Sequence, residues 1–371
     1  MHSSLSETLF LIKAGAVSAV VLAVACGPSL SAASTATAQF SGNWQETGIW
    51  TGGQGAGGAP AVGDSITVGD GYQVTLDTAL SQVFGTLTVG NPGGGTLDVE
   101  SGGRATANYI NIGASTSGTG TLLFNGGSLT ANANIQFSSV AGPSAATITS
   151  GTLEAKGGTG AGIFVGNLGA ATVTQTGGLV LASNNKINIG MPSVNGTSYT
   201  MSQNAQMQWA STLTIYAGSS LSVVGSNAVL KTVNGTGSSS GGTGFNVAGT
   251  VNFTLDESGA STIDLTTGLN TQLTITGGAH LTIDGSAYQG GADQKITLFQ
   301  YSSETGSFGN NVVFTGFQTA PTLVYGADSI YFYTTTTVPE PRVTGLLGLA
   351  ALVGVGMWRT RRQSVASSLN A

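Results

Sequence analysis

Leu87-Thr88-Val89-Gly90 is the first copy of a short pattern that recurs through the middle of the chain. In each copy two apolar residues flank a third residue, and the later copies are Ile110-Asn111-Ile112, Ile135-Gln136-Phe137, Ile163-Phe164-Val165, Ile187-Asn188-Ile189 and Leu213-Thr214-Ile215. Their last members lie 23, 25, 28, 24 and 26 residues apart. Glycine directly follows four copies, at positions 90, 113, 166 and 190. A nearly fixed period of this kind is the sequence signature of a solenoid.

Two further apolar tracks keep almost the same step. The second contains Leu97, Leu122, Ile148, Val173 and Met201, and the third contains Ala105, Leu129, Leu153, Leu179 and Met207. Three short strands per repeat, joined by Gly, Ser, Asn and Thr turns, predict an all-β, right-handed parallel β-helix with about 25 residues per coil. An antiparallel sandwich remains the alternative, since strand spacing alone would fit it. The period shared by three tracks favours stacked coils.

The composition is poor in charge and rich in glycine. Only 7% of the residues are charged, against about 25% in ordinary globular domains, and 59 of 371 are glycine. A formal net charge of −6 leaves no basic surface of the kind that binds nucleic acid, so no nucleic-acid partner is predicted. Regularly spaced Val, Ile, Leu and Phe argue against disorder.

The amino terminus has the features of a secretory leader. Lys13 precedes an apolar stretch, residues 14–25, and Ala36-Thr37-Ala38 offers a cleavage site before Gln39. We therefore predict a signal peptide over residues 1–38, with Ala36 and Ala38 as its recognition residues. The only cysteine, Cys26, follows small residues, so a lipoprotein site there remains an alternative.

The carboxy terminus joins a short motif to an apolar run and a basic cluster. Val338-Pro339-Glu340-Pro341 is followed by the uncharged residues 343–358 and then by Arg359, Arg361 and Arg362. A helix of that length reaches about 24 Å, which is short of the ~30 Å hydrocarbon core. The arginines are expected to stay cytoplasmic by the positive-inside rule, leaving the preceding chain outside. An ordinary carboxy-terminal membrane anchor is the alternative.

The order of motif, apolar helix and arginines resembles the PEP-CTERM sorting signal of Gram-negative bacteria. The resemblance implies a transient partner, an exosortase-type membrane transpeptidase, and transient inner-membrane anchoring through residues 343–358. It also implies delivery to the cell surface or extracellular matrix. Residues 39–84, with Trp44 and Trp50, resemble the leader of autotransporter-like β-helix repeats, in which tryptophans close the first coil. The usual proline-rich turn of that leader is replaced here by Gly58-Ala59-Pro60-Ala61.

These patterns divide the chain into five segments. The leader, residues 1–38, is followed by an amino-terminal cap over 39–84 and by β-helix repeats over 85–290. Aromatic-rich closing strands over 291–334 then lead into a linker and sorting signal over 335–371. Within the repeats, residues 219–250 are rich in Ser and Gly, and we expect an irregular or looped-out coil there.

Groups that could run a reaction are scarce. No Asp or Glu occurs between residues 155 and 255, whereas glycoside hydrolysis needs two carboxyls about 5 to 9.5 Å apart. The remaining candidates are Asp98 and Glu100 on one strand, Glu154 two coils later, and His280, the only histidine after the leader. We predict no catalytic residue and no cofactor, so the chain is not expected to be an enzyme. A carbohydrate-active β-helix enzyme remains the alternative.

Two loose groups of acids raise the question of calcium, which needs six to eight oxygen ligands. They are Asp64, Asp70 and Asp77, and Asp256, Glu257 and Asp264. Neither group shows the Gly-Gly-x-Gly-x-Asp repeat of calcium-binding β-helices. We predict that these acids cap turns and that no metal is bound.

The third residues of the first track would form an outward stripe along the helix. They are Thr88, Asn111, Gln136, Phe164, Asn188 and Thr214, which are mostly neutral and polar. Such a stripe would contact extracellular polysaccharide through hydroxyl and amide groups. The sequence thus predicts an exported structural or adhesive protein of the cell envelope or biofilm matrix, with a specific glycan-binding adhesin as an alternative.

Overall fold

The computed structural model describes residues 33–158, 160–235 and 243–334. In chain order the strands are β1 (Thr35–Ala38), β2 (Gly42–Asn43), β3 (Trp50–Thr51), β4 (Ser65–Val68), β5 (Gln73–Leu76), β6 (Ala79–Val89), β7 (Gly95–Val99), β8 (Arg104–Ile112), β9 (Gly120–Ala131), β10 (Asn134–Phe137), β11 (Ser144–Ala155), β12 (Gly162–Val165), β13 (Ala171–Gln175), β14 (Leu179–Ala182), β15 (Lys186–Ile189), β16 (Ser198–Ser202), β17 (Gln206–Trp209), β18 (Leu213–Ile215), β19 (Ser220–Val224), β20 (Val229–Thr232), β21 (Thr243–Val247), β22 (Thr250–Thr254), β23 (Ile263–Asp264), β24 (Gln272–Ile275), β25 (His280–Asp284), β26 (Lys295–Gln300), β27 (Ser303–Thr305), β28 (Val312–Thr315), β29 (Leu323–Tyr325) and β30 (Ser329–Tyr333). Short 3-10 helices occupy Thr47–Ile49 and Ala56–Gly58.

The strands build a parallel β-helix of about nine turns. Each strand pairs in parallel with the equivalent strand one coil later: β10 with β12, β13 with β16, and β14 with β17 are examples from the three faces. Among the described residues, antiparallel strand pairs occur only at the two ends, between β1 and β3 and among β26, β29 and β30. The antiparallel sandwich considered above is therefore wrong.

The first apolar track lies in register, as the sequence predicted. Its inward column runs through Val89, Ile112, Phe137, Val165, Ile189 and Ile215, and every member is buried. Because side chains alternate in direction along a strand, the residue between each apolar pair points outward. We call the stack of strands that carries this column the first face; it runs from β4 through β6, β8, β10, β12, β15, β18 and β21 to β24.

Left-handed glycines turn the chain at the end of this face. Gly166 and Gly190 have φ angles of 74° and 79°, a backbone region that residues with a Cβ atom disfavour. A Cβ atom on either glycine would also meet the hydroxyl side chain of the next coil, Thr197 or Ser219. Glycine is therefore favoured at these positions for two reasons: the backbone has a positive φ angle, and the next coil leaves no room for a Cβ atom.

The second predicted track mixes two inward columns, because Val173 lies in register with Ala146 and Tyr199, whereas Ile148 and Met201 lie in register with Gln175. The third track departs from the sequence prediction at one position. Leu153 lies in register with Val180, which is buried, whereas Leu179 is half-buried on the outward side. The track therefore continues through Val180 to Met207 and Leu230. The turn before β14 keeps its length, since Val180 follows Gln175 by five residues as Leu153 follows Ile148. Because Leu179, Val180 and Leu181 are all apolar, the sequence does not show which of them face inward, and a shift of one residue exchanges the two sides of a strand.

The expectation of an irregular coil over residues 219–250 is wrong for residues 219–235 and 243–250, whereas the looped-out alternative falls on residues outside the described ranges. Strands β19, β20 and β21 continue the stack without a break, in parallel register with the strands before them. Buried Leu221, Leu230 and Phe245 supply the inward side chains that the coil needs. The Ser/Gly-rich residues 236–242 lie outside the described residues.

The amino-terminal end of the core is covered by aromatic side chains. The rings of Trp44 and Trp50 lie 5.0 Å apart, and Trp44 also lies 5.7 Å from the ring of Phe84. The indole N–H of Trp50 donates to the carbonyl oxygen of Trp44 at 2.8 Å, so its polar atom is satisfied although the residue is buried. These contacts protect the apolar end of the first coil from water.

The carboxy-terminal end is closed by strands that reverse direction. Strand β30 pairs antiparallel with β26 on one side and with β29 on the other. Phe332 on β30 packs against Phe314 and Phe317, with ring centroids 5.4 and 5.8 Å apart. Because β30 runs against β26, the parallel stack ends there instead of offering an edge to another coil.

One fully buried amide interrupts the apolar interior. Gln175 occupies an inward position between Ile148 and Met201. Its side-chain N–H groups donate to the carbonyl oxygens of Gly177, Gly178 and Gln206. Its carbonyl oxygen accepts from the hydroxyl of Tyr199 at 2.7 Å. Burial raises the pKa of Tyr199, so this hydroxyl keeps the proton that it donates.

We expect Tyr199→Phe to lower the free energy of unfolding by about 1–3 kcal/mol, because the amide oxygen of Gln175 then loses its buried donor. In a Gln175→Met background the same change should cost less than about 1 kcal/mol, since no amide oxygen is left without a donor. Denaturant unfolding of both single variants and the double variant measures this coupling. Additive effects would contradict the interpretation.

The expected membrane and sorting segments are outside the part of the chain that the structure describes. They are residues 1–32 of the leader and residues 335–371, with Val338, Pro339, Glu340, Pro341, Arg359, Arg361 and Arg362. Within the described residues no helix has the length and apolar character needed to cross a membrane.

Candidate functional site

The carboxylates considered for catalysis are divided between two faces of the helix, since Glu154 does not lie on the face of Asp98. Asp98 points outward from β7, where Gln73 and Asn125 of the neighbouring coils donate to its two oxygens at 3.2 and 3.1 Å. Glu100 follows the end of β7, and its backbone carbonyl accepts from the N–H of Gly103. Asp98 is thus held in a ladder of neutral amides.

Glu154 lies on another face. It belongs to the part of β11 that pairs with β14, and it forms an ion pair with Lys156 at 3.5 Å. The hydroxyl of Ser183 donates to its other oxygen at 2.8 Å. These partners form a local surface network.

Asp64 is buried and acts as the hub of the amino-terminal cap. One carboxylate oxygen accepts from the backbone N–H and the hydroxyl of Ser34, and the other accepts from the N–H groups of Gln54 and Ala61. Burial by itself would raise the pKa of Asp64, but these hydrogen bonds outweigh it and hold the pKa below its ordinary value. The carboxylate joins three separate segments of the cap.

The other two aspartates of that group are engaged elsewhere. Hydrogen bonds from Thr78 and Asn43 hold the pKa of Asp77 below its ordinary value. Asp70 is exposed at a turn, where its φ angle is 52°. The three aspartates therefore occupy different turns.

The aspartates of the second acidic group, Asp256 and Asp264, also accept hydrogen bonds at turns. Asp256 accepts from the N–H and hydroxyl of Ser226 and from the N–H groups of Ser258 and Gly259. Burial raises its pKa, but these hydrogen bonds outweigh that effect and the pKa is lowered. Asp264 caps its own turn through Thr266. Over the described ranges, no three His, Cys, Asp or Glu residues come together as metal ligands would.

The outward stripe of the first face is not uniformly open to solvent. Thr88, Asn111 and Gln136 are half-buried, as surface residues of a sheet are. Phe164, Asn188 and Thr214 are only 9%, 4% and 8% exposed. The Lys186 ammonium also lies 5.6 Å from the centroid of the Phe164 ring. The sequence expectation of one continuous flat stripe on this face is therefore wrong for its second half.

A regular array of hydroxyl groups lies instead on a second face, which the sequence reading did not single out. It is formed by β7, β13, β16, β19 and β22 with the first halves of β9 and β11. Its outward residues form two columns in register: Thr96, Thr121, Ala145, Thr172, Ser198, Ser220 and Thr250, and beside them Asp98, Leu123, Thr147, Thr174, Thr200, Ser222 and Asn252. We call these two columns the hydroxyl face.

The geometry of the hydroxyl face follows from the sheet. Neighbours in one column are about 4.8 Å apart, and the two columns are separated by two residues, or about 6.6 Å. From Thr121 to Asn252 neither column contains a charged residue. Asp98 flanks the uncharged region at one end, and His280, which is exposed and paired with Thr250, flanks it at the other.

A polar groove near the carboxy-terminal cap is lined by Thr266, Lys295, Thr297, Gln300, Asp328 and Ser329. The ammonium of Lys295 lies 4.0 Å from the centre of the Tyr331 ring, so its charge is directed at an aromatic face. The Asp328 carboxylate accepts from the hydroxyl of Ser329. Both charged residues of the groove are thus held by neighbours on β30.

No protein-family model matches the chain, and comparisons with curated proteins and with solved structures also give no match.

Proposed function

We propose that this chain is an exported, non-enzymatic β-helical protein of the cell envelope or extracellular matrix of a Gram-negative bacterium, which adheres to neutral polysaccharide. The observation that supports the proposal best is the uncharged hydroxyl face, which spans successive coils of one stack. The PEP-CTERM-like tail supports delivery by an exosortase-type system. We propose the right-handed form of the helix, because parallel crossovers are right-handed in almost all proteins.

A rigid hydroxyl array suits a long neutral ligand. Each Thr or Ser hydroxyl both donates and accepts, as sugar hydroxyls do. A single hydrogen bond contributes only about 0.5–1.5 kcal/mol, because it replaces hydrogen bonds to water. Many such hydrogen bonds in fixed register raise the affinity for a long ligand, because the ligand binds at several positions at once. The strands also lose little conformational freedom on binding, because they are already ordered.

We expect the exported protein to bind an insoluble neutral glucan saturably, and we expect Thr174→Lys/Thr200→Lys to weaken that binding at least tenfold, or about 1.4 kcal/mol. These residues are neighbours in one column, so two lysines there would break both the flatness and the neutrality of the array. Leu181→Lys/Gln208→Lys is the matched control, since these residues are also register neighbours but lie on the remaining face, in the stack that contains β14 and β17. Equal binding by the two double variants would contradict the proposal.

The enzyme alternative has a separate test. A reducing-sugar and unsaturated-product assay over a panel of polysaccharides should give no turnover by the purified protein. Turnover that is lost in Asp98→Ala or Glu100→Ala would establish the enzyme instead.

The processing of the PEP-CTERM-like tail is tested by mass spectrometry of the carboxy-terminal peptide from the native host. Recovery of mature chain that extends beyond Pro341 would indicate a simple membrane anchor.

A further inference from the structure

Ser34 and the strand after it are built into the fold, although the leader was expected to extend to Ala38. The backbone N–H and the hydroxyl of Ser34 donate to the same oxygen of Asp64, at 3.2 and 2.8 Å. The carbonyl oxygen of Ser34 accepts from the N–H of Ser65 at 2.8 Å. The backbone N–H, the carbonyl oxygen and the hydroxyl of Ser34 thus all form hydrogen bonds within the cap.

The strand β1 itself lies between two others. It pairs in parallel with β4, with Ala36 opposite Ile66, and antiparallel with β3, with Ala38 opposite Trp50. Ala36 and Ala38 are 0% and 1% exposed, so they belong to the core of the first coil. The N–H of Gln39 continues the pairing by donating to the carbonyl oxygen of Ile49.

Cleavage after Ala38 would remove this strand. The backbone edge of β4 would lose its partner, and an unpaired strand edge invites association with other chains. Asp64 would lose two of its four hydrogen bonds while staying close to the apolar end of the core. Such a mature protein would begin with a damaged first coil.

A second small-x-small sequence, Ser31-Ala32-Ala33, lies directly before Ser34. Small residues at these two positions are what a leader peptidase requires. Cleavage after Ala33 would keep every contact of Ser34 and β1. Ala33 itself is exposed, and none of the hydrogen bonds that hold the cap involves it.

We infer that the leader is removed by hydrolysis of the Ala33–Ser34 peptide bond, so that the new amino group of Ser34 pairs with the Asp64 carboxylate. The water that attacks supplies a hydroxyl to the new carboxyl group of Ala33 and a proton to the new amine of Ser34. The Ser34 nitrogen already lies 3.2 Å from the acceptor oxygen. As an ammonium group it forms a charge-assisted hydrogen bond, which is stronger than the amide's. The inference rests on the proposed export.

Amino-terminal sequencing of the full chain, recovered from outside the cytoplasm of a Gram-negative host, tests this assignment. We expect the mature protein to begin at Ser34. A start at Gln39, or at any other residue, overturns the inference while leaving export intact. Chain that is recovered only from the cytoplasm with its leader attached overturns the proposed export and the inference with it.

Two substitutions sharpen the test. Ala33→Gln places a large residue on the amino side of the scissile bond, and we expect it to abolish the start at Ser34. Thr35→Gln is the matched control, because Thr35 is also exposed and lies after the bond; its mature start should stay at Ser34. Unchanged processing of the Ala33→Gln variant would overturn the inference, since cleavage after Ala38 does not depend on residue 33.

Discussion

Asp64→Ala is expected to lower the free energy of unfolding of the amino-terminal cap by at least about 3 kcal/mol. The backbone N–H groups of Ser34, Gln54 and Ala61 all lose the buried acceptor they now share, and each lost acceptor of this kind costs about 1–3 kcal/mol. Hydrogen exchange of the cap amides, together with denaturant unfolding, measures the effect. Asp77→Ala is the control, because the partners of Asp77 are exposed side chains. Equal loss in both variants would contradict the role assigned to Asp64.

The same carboxylate should make the cap sensitive to acid. The pKa of Asp64 is lower in the folded chain than its ordinary value of 3.8. Its contribution is therefore complete above that pH and is lost as the pH falls through the lower, folded value. Cap amides should exchange faster, relative to the rest of the helix, below about pH 4. Asp64→Ala should remove most of this difference, and an unchanged acid response in that variant would assign it to other groups.

Trp209→Ala should have the largest effect within the coils, about 3–5 kcal/mol. Trp209 is fully buried, and its indole N–H donates to the carbonyl oxygen of Gly244 at 2.7 Å. Its ring adjoins Phe245, whose ring in turn lies 6.1 Å from that of Phe299. The substitution leaves both a cavity and a buried carbonyl without its donor. Denaturant unfolding measures the loss.

Because each coil of a solenoid contacts mainly its neighbours, the damage should be local. Hydrogen exchange should rise most around β17, β20 and β21 and least in the amino-terminal coils. Leu168→Ala removes a large apolar side chain that is 58% exposed, and it should change stability by no more than about 0.5 kcal/mol. A loss below about 1 kcal/mol for Trp209→Ala would show that the aromatic stack is not needed.

The sequence predicted the columns of inward side chains best where each strand is directly followed by a glycine turn. Val89, Ile112 and Val165 are each followed by glycine, so the position of the corner is marked and the register follows from it. Leu179 was placed on the wrong side, because three consecutive apolar residues, Leu179, Val180 and Leu181, do not show which of them face inward. Composition led to a wrong prediction for residues 219–235 and 243–250, where a few inward apolar residues suffice for a strand amid serine and glycine.

The surface was harder to predict than the core. The sequence shows which residues point outward, but Phe164 and Asn188 are buried nonetheless, and alternation along a strand does not show how much of an outward side chain its neighbours cover. The hydroxyl face was visible as Thr172-Val173-Thr174 and Ser198-Tyr199-Thr200, yet it becomes an array only when successive coils are aligned. Asp64 was read as one acid among several, since its partners Ser34 and Gln54 are distant in sequence.

The shared period of three apolar tracks and the glycine corners predicted a parallel β-helix, because alternating apolar residues at a constant step are buried together when coils stack; the strand pairing in the structure excluded the antiparallel sandwich. Only the tertiary structure decided which alternating residues share a column, which outward faces stay open, and that Ser34–Ala38 belongs to the first coil. Those properties depend on contacts between residues about 21 to 36 positions apart, whose register is set by the lengths of the turns between them.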